Sequence, residues 1–439
     1  MKTSTIVAIS SPLGTGGIAV IRISGSKTLE ILNKLITGKS CIKDWEARRL
    51  YNVRIHTNAF SENGMCALFH CPHSYTGEDM VELYIHGSMA IAEGIVRASI
   101  DAGAVGAGRG EFTMRAFLNG KMDLTQAEGI ADLINSETDA QIRAAQSLVE
   151  GGLFRKITDI QDNIKKILAK IEASIDYPEE DIEKTTAAEA KESIINLQSC
   201  IKELLLTFST GRLIRDGVKV TIAGKPNAGK SMLFNAMLGY NRAIVNERAG
   251  TTRDTVEDSY MHNDIKFTLI DTAGIRESTD EIEAEGIRRS LEAAKTSNMV
   301  IEVVDCADFS SPHSPLKSTI KVLNKCDLLT KEFPQLHNSY AMIISAKTGQ
   351  GIDRLKDMIY KKTVATETVP AVMLTSARQH FSALEAKEAL DRAFTALDNT
   401  LDCVSIELLS AYKALGSITG KIATDDIVKQ IFADFCVGK

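Results

Sequence analysis

The sequence predicts a multidomain chain that mixes α/β with α: an N-terminal α+β domain over residues 1–118, a discontinuous helical domain over 119–214 and 373–439, and an α/β nucleotide-binding domain inserted over 215–372. Three observations predict it. The apolar run Val218 to Ala223 is followed at once by Gly224-Lys225-Pro226-Asn227-Ala228-Gly229-Lys230-Ser231, a phosphate-binding loop in its proper strand-to-helix setting. Ile157, Ile160, Ile164, Ile167, Leu168, Ile171 and Ile175 recur at helical spacing with charged residues between them. Ahead of both, short β-rich runs alternate with turns rich in Gly, Pro and Ser.

The 439 residues suit about three domains and allow large cores. A net charge of −6, with 25% of residues charged, speaks against a generally basic surface that coats nucleic acid, so any RNA contact is expected to be local or shared with a partner. No apolar run approaches the roughly 18 to 20 residues needed to span a bilayer, and Met1 to Ser10 lacks the pattern of a secretory signal. Eight scattered cysteines read as reduced thiols, and the expected location is the cytoplasm.

Along the chain, Thr5 to Ala8, Ile18 to Ile23 and Val81 to His86 read as strands of the N-terminal domain. Cys66, His70, Cys71 and His73 are zinc-ligand types, but no distant second pair accompanies them, and Ala67 to Phe69 reads as strand, so no metal is expected there. The helical stripe from Ile157 to Ile175 is read as a bundle core. It breaks at Tyr177-Pro178-Glu179-Glu180-Asp181 and resumes through Ala187 to Leu206. Gly211 to Gly217 is read as a hinge into the inserted domain, and helical periodicity returns from Ser376.

The motifs of the inserted domain point to one nucleotide. Backbone N–H groups of the glycine loop and the positive end of the following helix face phosphates; Lys230 neutralises the β- and γ-phosphates and Ser231 ligates Mg²⁺. Asp271-Thr272-Ala273-Gly274 closes the strand Ile265 to Ile270, where Asp271 can reach the Mg²⁺ shell and the Gly274 N–H the γ-phosphate. Asn324-Lys325-Cys326-Asp327 closes another strand, and a carboxylate at Asp327 accepts both the ring N–H and the exocyclic amine of guanine. Adenine offers neither donor there, so discrimination on the order of 10⁴ is expected and the nucleotide is GTP. Ser345-Ala346-Lys347, after Ala341 to Ile344, supplies a backbone contact to the guanine carbonyl. The four motifs together resemble a Ras-like, translation-factor-class P-loop GTPase.

In Ras-type GTPases a glutamine after the Asp-Thr-Ala-Gly run orients the attacking water. Here that position is Ile275, which cannot hold a water. Asn227, placing a monovalent cation against the phosphates, and an acid within Asp280-Glu281-Ile282-Glu283 are the candidate replacements; a loop-stabilising amide and a solvated helix start are the alternative readings of the same residues.

Arg22-Ile23-Ser24-Gly25, Tyr75-Thr76-Gly77-Glu78-Asp79, Arg115 to Lys121 (Arg-Ala-Phe-Leu-Asn-Gly-Lys), Asp176 to Asp181 and Phe435-Cys436-Val437-Gly438-Lys439 occur in that order. Nearly the whole chain resembles the MnmE (TrmE) family of tRNA-modification GTPases. The resemblance implies an N-terminal domain that binds tetrahydrofolate and dimerises, and an FAD-dependent partner, MnmG (GidA). With it, the family installs a 5-carboxymethylaminomethyl group on the wobble uridine of certain tRNAs, using 5-formyltetrahydrofolate or a related reduced folate. By the same resemblance Arg22, Glu82, Lys121 and Lys439 contact the folate. GTP is held by Asn227, Ala228, Gly229, Lys230, Ser231 and Met232, by Asn246, Glu247, Arg248, Ala249, Gly250, Thr251 and Thr252, and by the motif residues already named. Asn227, Thr251 and backbone oxygens of Asn246 and Arg248 hold K⁺, Ser231 and Thr252 hold Mg²⁺, and Glu283 joins Asn227 and Lys230 in catalysis. Two GTPase domains are then expected to meet across a homodimer.

The chain departs from the family pattern at Arg109-Gly110-Glu111-Phe112, where a proline usually leads, at Leu13 and Thr15, and over Cys306 to Ser318, which is short and rich in Ser and Pro. Cys326 reads as a small filler residue, and Cys436 as either a catalytic thiol or a packed one. Two other function classes are weighed: a ribosome-assembly GTPase switch, disfavoured by the want of a basic RNA-binding module, and a scaffold whose GTP site controls dimerisation alone.

Overall fold

The computed structural model describes residues 4–37, 45–176, 180–225, 227–239, 256–271, 297–307, 320–328, 342–364, 370–398, 400–422, 425–433 and 435–439. In chain order the first strands and helices are β1 (Ile6–Ile9), β2 (Gly16–Ser24), α1 (Thr28–Leu35), β3 (Ile36–Thr37), β4 (Leu50–His56), β5 (Ser61–Phe69), β6 (Met80–Gly87), α2 (Met89–Asp101), β7 (Val105–Gly106) and α3 (Glu111–Leu118). Helices follow: α4 (Leu124–Ile134), α5 (Asp139–Val149), α6 (Gly152–Asp176), α7 (Glu180–Leu206) and α8 (Phe208–Asp216). Next come β8 (Val218–Gly224), α9 (Lys230–Leu238), β9 (Val256–His262), β10 (Ile265–Asp271), β11 (Met299–Asp305), β12 (Ile320–Asn324), β13 (Met342–Ile343), α10 (Ile352–Thr363), α11 (Ala377–Ala396), α12 (Leu401–Thr419) and α13 (Asp425–Ala433).

These elements form two compact units. One takes Met1–Ala131, Leu148–Ile201 and Phe381–Lys439; the other takes Asp132–Ser147 and Lys202–His380. The first contains a seven-stranded sheet, order β3-β4-β5-β6-β2-β1-β7, antiparallel except for the β1–β7 pair. Its strands alternate: Ile21, Ile23, Val81, Leu83, Val53, Ile55, Cys66 and Leu68 point to one face and are buried against Ile31, Leu32 and Leu35 of α1 and Ala92 and Ile95 of α2. Each such aliphatic side chain contributes about 1.5–3 kcal/mol on burial, which fixes the register, since a one-residue slip would turn the whole set outward. The opposite face is covered at the β1 end, where Ile6, Ala8 and Phe112 cluster with Tyr75. Farther along it Ile18, Leu50 and Met65 stand exposed.

In the same unit α6 presents Leu153, Ile157, Ile160, Ile164, Ile167 and Ile171, all buried, and packs along α12, whose Val404, Leu408, Ala411, Leu415 and Ile418 are buried too. The bundle-core reading of this stripe holds, except that Ile175 at its end is 39% exposed. The second long helix begins at Glu180, a little earlier than Ala187, because acidic residues such as Glu180 and Asp181 suit a first helical turn.

The second unit holds a six-stranded sheet, order β13-β12-β11-β8-β10-β9, parallel except for the β9–β10 hairpin. Its central strands read as continuous apolar runs because both faces are covered: Val218, Val220 and Ile222 of β8 and Ile301 and Val303 of β11 pack with Leu233 and Met237 of α9 and Leu355 and Ile359 of α10. Ala140 and Ala144 of α5 join this core. The hinge expected over Gly211 to Gly217 is instead the second half of α8, and Gly211 is there for packing, since a Cβ would stand 2.2 Å from the Leu374 carbonyl. Left-handed backbone is confined to Gly217, φ +76°, which ends the helix.

Candidate nucleotide site and a second polar pocket

At the carboxyl ends of the parallel strands, β8 turns sharply into α9. Gly224, φ +151°, lies beside β11, where a Cβ would come 2.3 Å from the Val303 carbonyl. Asn227 adopts φ +62°, and Gly229, φ +90°, immediately precedes α9. Positive φ at Asn227 and Gly229 just ahead of a helix is the backbone pattern of an anion nest at the positive end of the helix dipole; the Ala228 N–H itself closes the turn on the Lys225 carbonyl at 3.3 Å. Lys230 Nζ donates to the Lys225 carbonyl at 2.9 Å, folding the ammonium back over the loop. Burial pulls this amine down from the ordinary lysine value, opposed by the field of Asp271, so a bound polyanion would be favoured there twice over, by charge and by relief of the burial penalty. Asp271 is buried at the end of β10, in register with Ile222 of β8. Ser231 and Met232 lie exposed at the start of α9. The Ser231 hydroxyl and the Asp271 carboxylate are hard oxygen donors on the two elements flanking the nest, and that donor set fits Mg²⁺.

The neighbouring loops are stitched to this one by Asn324. Its side chain is buried; Nδ2 donates to the Ala228 carbonyl at 3.0 Å, and Oδ1 accepts the Ala346 N–H at 2.9 Å. Gly229 is required by that bridge, because a Cβ would lie 2.4 Å from Asn324 Nδ2. Beyond it, Ser345 Oγ donates to Asp327 Oδ1 at 2.6 Å, aligning an exposed carboxylate beside the turn that carries Ala346 and the exposed Lys347. Lys325, φ +67°, donates to Asp305 Oδ2 at 2.6 Å. Burial raises the Asp305 carboxyl, but the Ala307 N–H and Lys325 outweigh it and hold the group below its usual range. The sequence reading passed over Asp305, although the signal was there: it closes an apolar strand as Asp271 does. Cys326 is half-buried, its thiol 3.6 Å from Gln350 Oε1, as a filler residue would be.

The structure thus brings Asn227 to Met232, Asp271, Asn324, Lys325, Asp327 and Ser345 to Lys347 to one end of one sheet. Asn246, Glu247, Arg248, Ala249, Gly250, Thr251, Thr252, Thr272, Ala273, Gly274, Ile275 and Glu283 lie outside the described residues, as does most of Cys306 to Ser318. Of the four expected K⁺ donors only Asn227 is described, and it is an exposed residue.

Two family models match this chain: "MnmE helical domain" over residues 124–436 and "GTP-binding protein TrmE N-terminus" over residues 5–121. Proteins named tRNA modification GTPase MnmE align from end to end. That of Akkermansia muciniphila is 38% identical, covering 99% of each chain; that of Dichelobacter nodosus is 38% identical, covering 100% of each; that of Clostridioides difficile is 36% identical, covering 99% of each. This chain belongs to the MnmE family of tRNA modification GTPases. An MnmE-family protein is a GTP hydrolase, and the parallel sheet with its phosphate nest is the part of the molecule suited to that work.

The MnmE-family N-terminal region carries a second polar site. A cavity of about 320 Å³ is lined by Arg48, Phe69, His73, Tyr75, Glu82 and Lys121, among others. On the open face of the antiparallel sheet, Arg22 of β2 stands opposite Glu82 of β6; its Nε and Nη2 donate to Glu82 Oε1 at 3.0 and 2.8 Å. Tyr84 donates to Glu82 Oε2 at 2.7 Å, and burial, then Glu82, pushes its phenol up to about 12. The Arg22 guanidinium lies 5.1 Å from the Tyr75 ring centroid and 5.6 Å from that of Phe112. Its Nη1 is buried without a hydrogen-bond partner among the described residues, a donor that a ligand oxygen or ring nitrogen would satisfy. Lys121 Nζ donates to the Pro72 carbonyl at 3.0 Å.

The C-terminal segment reaches the same neighbourhood. The Lys439 carbonyl accepts the Phe112 N–H at 3.2 Å, Val437 bridges Arg109, and Ser10 Oγ donates to the Gly438 carbonyl at 2.9 Å. Gly438, φ +96°, is pressed so close that a Cβ would lie 2.1 Å from the Ile9 carbonyl. Of the four residues expected at the folate, Glu82 and Lys121 line the cavity, Arg22 pairs with Glu82 and lies against the Tyr75 ring, and Lys439 is placed by its main chain at Phe112. Tyr75, Tyr84 and Phe112 are members that sequence reasoning left out of the site. Cys436 is exposed, against the packed reading, and its carbonyl accepts the Gly110 N–H. Cys66, by contrast, is buried in the sheet core, and burial pushes its thiol up to about 12. Among the described residues no group of three or more His, Cys, Asp and Glu is placed to hold a metal.

Proposed function

We propose that this chain is a GTP-hydrolysing tRNA modification enzyme that acts with an FAD-dependent partner of the MnmG type. Together they add a 5-carboxymethylaminomethyl group to the wobble uridine of certain tRNAs. The observation that carries the reading is the end-to-end alignment with proteins named for tRNA modification, which leaves no part of the chain outside the family. In this reading residues 1–118 bind the one-carbon donor and dimerise, 119–214 and 373–439 form the helical domain, and 215–372 hydrolyse GTP.

A reduced folate is supported as the carbon donor by the buried Arg22 Nη1, which has no partner among the described residues, the adjacent Glu82 carboxylate and the Tyr75 ring, which suit the hydrogen-bonding edge and flat face of a pterin. Lys121 and Lys439 supply cations for its glutamate tail. The exposed Ile18, Leu50 and Met65, which share the open face of the first sheet with Arg22, Glu82 and Tyr84, support a homodimer, since a partner would take these apolar side chains out of water. In the GTPase part, Lys230 and the nest hold the phosphates, Ser231, Asp271 and Thr252 hold Mg²⁺, and Asp327 reads guanine. With Ile275 unable to orient water, Asn227, Thr251 and the carbonyls of Asn246 and Arg248 hold K⁺, and Glu283 positions the attacking water. Among the described residues no helix is long and apolar enough to cross a membrane, and the cytoplasm, where tRNA is found, is the proposed location.

The deciding experiment is nucleoside analysis of total tRNA from cells with and without the chain. Loss of 5-carboxymethylaminomethyl-type uridines, restored by the intact protein and not by Lys230→Ala, is the expected result. Unchanged tRNA would remove the reading and favour a GTPase switch with another target. The cation assignment is tested separately: GTP turnover should be at least about tenfold faster in K⁺ than in Na⁺ at equal ionic strength, the effect of one charge placed at the transferring phosphoryl group. Equal rates would remove K⁺ from the mechanism.

A further inference from the structure

Two cations meet at the rim of the first unit's cavity, and among the described residues no acid is paired with either. Arg48 stands just ahead of β4 at φ +63°, in the left-handed region that a residue with a Cβ resists, and its N–H is pinned to the Leu68 carbonyl at 2.8 Å. Its Nη2 donates to the His73 carbonyl at 3.1 Å, while Lys121 Nζ donates to the carbonyl of the preceding residue, Pro72, at 3.0 Å. Both side chains line the cavity. Neighbouring carbonyls thus hold two like charges side by side, a repulsion that an anion would relieve. The acids of the same sheet and loop are committed elsewhere: Glu82 to Arg22 and Tyr84, Glu78 to Arg115, and Asp79 Oδ1 to the Cys71 N–H. Arg49, the next residue in the chain, shows the contrast, since it pairs with Glu46 at 3.1 Å and lies over the Tyr51 ring. Arg48 and Lys121 each give one donor to a neutral oxygen, which leaves their charge and their other donors for a ligand.

We infer that Arg48 and Lys121 form a two-cation clamp for the carboxylates of a folate's glutamate tail, and that Arg48 makes the pocket select tailed over tailless folates. Given the folate reading proposed above, on which the clamp depends, Arg48 is a binding residue outside the expected set. A glutamate tail offers an α- and a γ-carboxylate. The planar guanidinium suits one of them in a paired contact, and the ammonium meets the other as a point charge. Glu82 lines the same cavity, so one cavity serves both parts of the ligand: Glu82 and its partner Arg22 the pterin, the clamp the tail. The left-handed backbone at Arg48 is kept although arginine resists it, which fits a side chain retained for a ligand.

The test compares the affinities of the full chain for 5-formyltetrahydrofolate and for its analogue in which a neutral primary amide replaces the glutamate. Wild type should prefer the glutamyl form about 100-fold, one charge-assisted contact for each cation. Arg48→Gln should lower that preference about tenfold by weakening the glutamyl form alone, with the amide form bound as in wild type. Arg48→Lys, which keeps the charge, should retain most of it. In Arg48→Gly, where glycine takes the left-handed backbone without resistance, the preference should fall as in Arg48→Gln while the melting temperature stays at or above that of wild type. An unchanged preference in Arg48→Gln, or a parallel loss of affinity for both forms, would reduce Arg48 to a structural residue of the loop and overturn the clamp. A wild type that binds both forms alike, with tRNA binding weakened in Arg48→Gln, would assign the two cations to a phosphate backbone and overturn the clamp alone. A wild type that binds neither form would instead overturn the folate reading on which the clamp depends.

Discussion

The nucleotide cradle is made at the ends of parallel strands, largely from main-chain atoms in unusual conformations, whereas the pocket of the first unit is made on the face of an antiparallel sheet, from side chains. In the cradle, Gly224, Asn227 and Gly229 set the direction of N–H groups, and one buried amide, Asn324, spaces two loops. In the pocket, ordinary extended backbone carries Arg22, Glu82 and Tyr84, and what matters is the register that puts them opposite one another. A site of the first kind tolerates almost no change in residue size at its turns. A site of the second kind tolerates change wherever charge and shape are kept.

The largest test of that contrast is Gly229→Ala. The added methyl meets Asn324 Nδ2 at 2.4 Å in a backbone conformation that alanine resists. Strain and the broken bridge together should reach roughly 3 kcal/mol, weakening GDP binding about 100-fold. Retained binding in a GDP titration would mean that the cradle is more forgiving than its geometry indicates. Next in size is Arg22→Met, which leaves the part-buried Glu82 without its cation. It should destabilise the first unit by about 2 kcal/mol, lowering its melting temperature by about 5 °C, and abolish binding of 5-formyltetrahydrofolate while leaving GDP affinity unchanged. Glu82→Gln, similar in shape, should restore little of the folate affinity, because the lost partner is a charge.

The smallest effect is on pH. Burial holds the Lys230 amine below its ordinary value of 10.5, and the charged form is the one that attracts phosphate. As pH rises through that lowered value the charged fraction falls, so GDP affinity should drop a few-fold on the alkaline side, earlier than an ordinary lysine would allow. In Lys230→Arg, whose guanidinium stays protonated, the profile should be flat over the same range. A flat profile in the wild type would place the amine in water rather than in the loop.

The same contrast explains what could be read in advance. Gly224, Gly229, Lys230, Asn324 and Asp327 sit at fixed spacings because turns and strand ends fix them, so the sequence alone located the nucleotide loops and the strands leading into them. The pocket offered no such spacing: Arg22 and Lys121, taken singly, look like surface cations, and only family resemblance joined them to Glu82 and Lys439. Tyr75 and Phe112 escaped notice because an aromatic ring stacked under a guanidinium leaves no mark in the local pattern. Asp305 differs: it closes an apolar strand as Asp271 does, a mark the sequence carries, and only its partner Lys325, just past the neighbouring strand, is hidden from the local pattern. The expected hinge over Gly211 to Gly217 failed because one glycine, Gly211, serves close packing and another, Gly217, ends a helix. Their shared composition hid two different causes.

The docking of Gly438 against Ile9 and Ser10 has a consequence for synthesis. Ser10 and Gly438 are 428 residues apart, and the first unit draws on three separate stretches of chain, the last of them Phe381–Lys439. The second unit is complete once His380 has emerged, so it can close while translation continues. The first must wait, holding its opening strands unfinished for about 40 s at roughly 10 residues per second. A chain that stops before Phe435 would therefore carry a complete nucleotide-binding unit beside a first unit lacking the segment that docks on Ile9 and Ser10.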